Sequence, residues 1–160
     1  MDRLPAVRYF GFDTSQRYID WASRRWAGRG EFHCEVLGEQ HLAHLPPADA
    51  VLLLGLLHHL SDAESEHLLD VAAKALAPGG RVIAVDTCYE PNQGRISRWM
   101  SRNDRGEYVR EPDAFVRLAQ RSFATVDGEV VDDATRVPSS FWMMRMRDPR
   151  VTPALATGAD

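Results

Sequence analysis

The chain has 160 residues, 44% of them hydrophobic and 26% charged, with a net charge of −4. That balance suits one soluble globular domain with a real core and argues against a basic nucleic-acid-binding surface. The longest apolar run, Ala50–Leu57, is too short to span a bilayer, and the charged start at Asp2, Arg3 and Arg8 lacks a signal-peptide core. A cytoplasmic location with no membrane partner is therefore expected, and the widely separated Cys34 and Cys88 do not read as a disulfide scaffold.

Val7–Phe12 alternates into apolar positions and ends at Asp13, which predicts a short buried strand. Thr14 or Ser15 can cap the helix that follows. There Tyr18, Ile19, Ala22 and Trp26 share a face while Arg17, Arg24 and Arg25 face outward. Gly28-Arg29-Gly30 stops this helix, Phe32–Leu37 reads as a second strand, and Gly38–Ala48 with its Pro46-Pro47 pair reads as a loop. In the next predicted strand, Asp49–Gly55, Val51–Leu54 is apolar without alternation, as expected of a strand covered on both faces of a parallel sheet.

Leu57-His58-His59-Leu60 follows that strand. Ser61 and Glu64 then have the spacing of a capping box, in which each side chain satisfies the other's backbone amide at a helix start. Leu68, Leu69, Ala72, Ala73 and Leu76 form the buried stripe of this helix. Pro78-Gly79-Gly80 ends it, and Arg81–Asp86 is the next strand.

Asn92–Asp104 predicts an amphipathic helix with Ile96, Trp99 and Met100 on one side. Pro112 at a helix start leads into Phe115, Leu118, Ala119 and Phe123. Ala124–Val131 and Phe141–Met146 read as a closing pair of strands, with Trp142, Met143, Met144 and Met146 packing the last one. The alternation of strand and helix gives a single three-layer α/β sandwich over residues 1–147, with residues 148–160 as a frayed, disordered tail.

The order and spacing of these elements from Tyr9 to Met146 resemble a class I S-adenosylmethionine (SAM) dependent methyltransferase of the small bacterial methyltransferase-domain type. Gly11-Phe12-Asp13 followed by Tyr18-Ile19-Asp20-Trp21-Ala22 is similar to the family's second strand and next helix. Leu54-Gly55-Leu56-Leu57-His58-His59-Leu60 is similar to the end of its fourth strand, and Leu76–Gly80 to the turn before its fifth. Asp104-Arg105-Gly106-Glu107-Tyr108-Val109-Arg110 is similar to a segment found in some small bacterial members.

The resemblance implies a Rossmann-like three-layer sandwich, SAM as cofactor, and a small-molecule acceptor methylated on oxygen or nitrogen. It places Asp13 at the ribose of SAM, where one carboxylate can accept from both hydroxyls. Thr14, Leu54 and Gly55 also become cofactor-binding candidates, and Glu39 is the nearest candidate for the adenine end. The family's first strand and its glycine-rich loop have no counterpart. Gly28-Arg29-Gly30 lies between a helix and a strand, the reverse of the order that points helix N-terminal amides at a ligand. The absent strand is central in the family's sheet, so its two neighbours are expected either to pair directly or to leave open edges. A chain truncated before the second strand, through a misplaced start, as a fragment or by degeneration, is the expectation.

Methyl transfer from a sulfonium is an in-line displacement governed by alignment, and a base is needed only where the acceptor must lose a proton. His58 and His59, at the lip of the fourth strand, are the catalytic candidates. The plainer reading is that one packs in the core and the other caps the next helix. Tyr89, Arg105 and Arg110 are substrate candidates, within an arginine-rich segment that reads either as a cover for an anionic acceptor or as a solvated helix face. No metal is expected, because His41, His44, His58 and His59 lack partners at metal-site spacing, and adjacent histidines on a strand would face opposite ways. Two readings of the whole remain open beside a working enzyme: a non-catalytic remnant that pairs with itself or a partner across the gap, and another doubly wound nucleotide enzyme such as a dehydrogenase.

Overall fold

A computed structural model describes residues 7–90, 94, 98–99, 106–132 and 139–150. The chain divides into two compact units, Met1–Gly38 and Glu39–Asp160.

In the first unit, β1 (Tyr9–Phe12) and β2 (Gly30–His33) run parallel, joined through helix α1 (Gln16–Arg25). The second strand begins two residues earlier than its apolar run suggests. Gly30 lies opposite Tyr9, and a Cβ there would sit 2.9 Å from the Tyr9 carbonyl oxygen, so glycine lets the two backbones close up. Ile19 is the buried residue of α1, whereas Tyr18 and Trp21 are exposed, so the apolar stripe is narrower than its spacing predicts. Arg24 and Arg25 occupy the last turn, where positive charge complements the helix dipole.

The second unit carries a four-stranded sheet in the order β3 (Ala48–Leu54), β4 (Leu76–Thr87), β6 (Phe141–Pro149), β5 (Phe123–Val131). β3 and β4 are parallel, and β6 runs antiparallel to both β4 and β5. Helices α3 (Asp62–Lys74) and α4 (Pro112–Ser122) pack on one face. There Leu68, Leu69, Ala72, Phe115, Leu118 and Ala119 meet Leu53, Val82, Ala84, Met144 and Met146 in one buried cluster. Side chains alternate across a strand, so Val82, Ala84 and Asp86 share this face with their cross-strand partners Met146, Met144 and Trp142.

Four expectations change. Glu39–Leu42, placed in a loop, forms a one-turn helix α2. Pro78-Gly79-Gly80 does not end α3. The helix stops at Lys74, and the three residues loop within β4, where Ala48 pairs with Leu76 but Ala50 already pairs with Arg81. β3 is not covered on both faces, since Leu53 is buried while Leu52 and Leu54 are 48% and 62% exposed. Finally, β6 runs through Pro149, two residues into the stretch read as a tail.

Two sheets form rather than one, and among the described residues β1 and β3 each pair on one side only. The helix predicted over Asn92–Asp104 lies mostly outside the described residues, as does Arg105. Trp99, placed on the apolar side of that helix, is exposed.

Candidate functional site

β3 and β4 end side by side, with Leu54 opposite Val85. The next residue on one strand is Gly55 and on the other Asp86. Gly55 has φ +63°, and its N–H donates to the Val85 carbonyl at 2.7 Å. Its would-be Cβ meets only His58 Cε1, at 3.8 Å, so the left-handed backbone and not crowding selects glycine here. This turn sends the chain into a short 3-10 helix, Leu57–His59, directly above the ends of the two parallel strands. In parallel α/β sheets, that end is where ligands bind.

His58 and His59 are therefore on a tight turn and not on a strand. Their rings do not face opposite ways: the centroids lie 4.0 Å apart. Burial separates them, His58 being 5% exposed and His59 exposed. His58 Nδ1 lies 2.7 Å from Asp86 Oδ1, and the same oxygen accepts the His58 backbone N–H at 3.1 Å. A carboxylate can only accept, so Nδ1 is the donor in this contact. Asp86 is 2% exposed, and its Oδ2 has no hydrogen-bond partner among the described residues. A buried carboxylate with one oxygen committed to histidine and the other unsatisfied is costly to keep, which makes the pair a functional candidate.

Sequence reasoning placed Asp86 only at the end of a strand and missed that it holds His58. The signal is the β3–β4 register, which pattern alone does not supply.

Arg110 was expected at an anionic acceptor. Its side chain is instead turned into the protein, 8% exposed, and fully engaged. Nη1 donates to the carbonyls of Leu57 (2.8 Å) and Tyr108 (3.0 Å). Nη2 donates to Leu60 O (2.7 Å) and to Asp62 Oδ1 (2.7 Å), and Nε donates to the same Asp62 oxygen (3.0 Å). Guanidinium has five N–H donors, and five bonds use them. Tyr89, the other described substrate candidate, is partly buried and donates its backbone N–H to Arg110 O at 3.0 Å.

The cofactor candidates are spread over both units. In the first, Asp13 follows β1, is exposed, and accepts the Ser15 N–H on Oδ1 at 2.7 Å. Thr14 is exposed and its carbonyl accepts from Cys34 Sγ. In the second, Leu54 and Gly55 are exposed beside the His58 turn. Glu39 forms an ion pair with Lys74, which holds its carboxyl below the usual carboxylate range through that hydrogen bond first and charge second. A carboxylate so engaged is a poor match to the adenine role.

A family model described as a methyltransferase domain matches residues 1–82. A 6-hydroxytryprostatin B O-methyltransferase of Aspergillus fumigatus is 33% identical over 87 residues, covering 51% of this chain and 25% of that protein. Among solved structures, human N-acetylserotonin methyltransferase in complex with SAM superposes with a TM-score of 0.64 at 18% identity, over 92% of this chain and 42% of that one. A structure described as a pericyclic reaction enzyme superposes at 0.61 with 15% identity, over 91% of this chain and 38% of that one. The chain thus spans a quarter of the curated relative's length and under half of either solved chain. The structural likenesses carry the fold, which is the Rossmann-like α/β architecture expected from the sequence, and the last of them illustrates that one fold hosts different chemistries.

Proposed function

The chain belongs to the methyltransferase-domain family, and we propose that it serves SAM-dependent methylation of a small molecule, on oxygen or nitrogen, with His58 as the base. The observation that carries this reading is the buried His58–Asp86 contact of 2.7 Å at the ends of parallel strands β3 and β4. Asp86 holds the proton on Nδ1 and orients the ring, the arrangement that suits a histidine to take a proton from the acceptor. His59, exposed beside it, covers one side of the ring and is the second candidate for acceptor contact.

SAM, when bound, would supply a methyl group on a sulfonium. The residues present fit part of it. Asp13, exposed after a parallel strand with Oδ1 on the Ser15 amide, suits the ribose hydroxyls, with Thr14 next to it. Leu54 and Gly55 offer backbone at the end of β3. Among the described residues no glycine-rich strand-to-helix loop serves the methionine end. Tyr89 and Arg105 remain proposed acceptor contacts, and Arg110 acts through the His58 turn instead.

A calorimetric titration of the folded chain with S-adenosylhomocysteine tests the cofactor half. Micromolar binding that is lost in Asp13→Ala is expected. Methyl transfer to hydroxyl-bearing acceptors should fall about 10²- to 10⁴-fold in His58→Gln, the usual worth of a positioned base. A second reading, a non-catalytic module that pairs with its own copy, is favoured by the exposed Leu52, Leu54 and Leu56. A folded chain that binds no S-adenosylhomocysteine and sediments as a dimer would replace the enzyme reading with that one.

A further inference from the structure

We propose that Arg110 is a positioning residue for His58, and that Gly106–Arg110 is a strap that fixes the histidine turn against Asp86. Three separate stretches of chain meet at this point: the turn 57–62, the end of β4 with Cys88 and Tyr89, and residues 106–110.

The arginine grips the turn on both sides of the histidines. Its donors reach Leu57 O just before them and Leu60 O just after, and the carboxylate of Asp62 at the first turn of α3. A planar fork satisfies these acceptors together because its N–H directions are fixed. Tyr108 N donates to the His58 carbonyl at 3.0 Å, so the peptide bearing the imidazole is held from the strap as well. With the His58 N–H on Asp86, both backbone polar groups of His58 are fixed by groups distant in sequence.

The strap itself is anchored to β4. Arg110 bridges Cys88, and its carbonyl accepts from Tyr89 N. Gly106 lies directly on His58: a Cβ there would be 2.2 Å from His58 Cδ2 and 2.6 Å from its carbonyl oxygen, so only glycine lets the strap come this close. The ring is thus bounded by the Asp86 carboxylate, the His59 ring and the Gly106 backbone. Losing the arginine would release the two carbonyls that set where the ring sits, while leaving Asp86 and the sheet in place.

The catalytic meaning of this clamp rests on His58 being the base, but its test does not. Long-range ¹H–¹⁵N spectra of the full chain, with the His58 signals assigned by their loss in His58→Gln, read the Nδ1-protonated tautomer and the solvent exchange of that proton directly. Neither SAM nor an acceptor is needed. The wild-type chain should show His58 locked in the Nδ1–H form. In Arg110→Lys the Nδ1 proton should exchange about tenfold faster, as expected when a charge-assisted bond that restrains local opening is lost. Asp62→Asn, at an exposed side chain, should shift exchange in the same direction by less, and it decides the matter if the lysine variant does not fold. Unchanged tautomer and exchange in a folded variant, even with a lowered melting temperature, would make Arg110 a packing residue and overturn the proposal. A locked His58 that Arg110 controls, in a chain that transfers no methyl group, would leave the clamp standing and remove only the enzymatic reading.

Discussion

The two cysteines show how far one residue's surroundings set its chemistry. Cys34 is exposed and Cys88 fully buried, and neither is in a disulfide. Burial first, then the nearby charges of Glu90 and Asp132, push the Cys88 thiol up from 9.0 to about 12. A neutral alkylating reagent should therefore modify Cys34 in the native chain and reach Cys88 only on unfolding, which mass mapping of the labelled peptides would show. The raised value also has a pH consequence. Once unfolded, the thiol ionises near 9.0, while in the folded chain it stays protonated until about 12. The contribution is complete below 9.0 and is lost as pH rises from there, so the denaturation midpoint should decline over that window. A midpoint that stays flat through it would contradict the burial assigned to Cys88. His58 makes the same point in another form: its residue type and place suggested a base, but the partner that selects its tautomer lies 28 residues away in sequence.

Helix α3 is the element whose start was most legible, because its signal is local. Ser61 accepts from the Glu64 N–H at 3.4 Å, and Glu64 Oε2 accepts from the Ser61 N–H at 2.9 Å and its hydroxyl at 2.6 Å. Ser61→Ala should cost about 1 kcal/mol of stability, measurable by urea titration, because it leaves a helix N-terminal amide without its partner. The Ser61 hydroxyl and then its backbone N–H also hold the Glu64 carboxyl below its ordinary 4.5. The cap's charged contribution is therefore present above that pH and lost as pH falls through the lowered value. The end of α3 was misplaced for an equally physical reason. Pro-Gly-Gly is a reliable break signal, but β3 recruits Leu76 across from Ala48, and the break residues are absorbed as an irregularity inside β4. Where β2 begins and where β6 ends were likewise decided by pairing with a neighbour, which a local pattern does not encode.

At the scale of the molecule, the two units are unequal. Every member of the main apolar cluster belongs to Glu39–Asp160, whereas Ile19 is the one buried apolar side chain described in Met1–Gly38. A unit below about 40 residues without a disulfide buries too little surface to offset its chain entropy. A fragment spanning residues 39–160 should therefore melt cooperatively, and one spanning residues 1–38 should give the circular dichroism of an unfolded chain. A residue 39–160 fragment without a cooperative transition would show that this core is insufficient alone. The sequence by itself determined the alternation of strand and helix, the family and the capped start of α3, since each is written in composition, spacing or a short contiguous motif. Only the tertiary structure decided that the strands form two sheets, that Asp86 and not a nearer residue holds His58, and that Arg110 spends all its donors inside the protein. These outcomes depend on which distant groups meet in space, and a one-dimensional pattern carries no record of that.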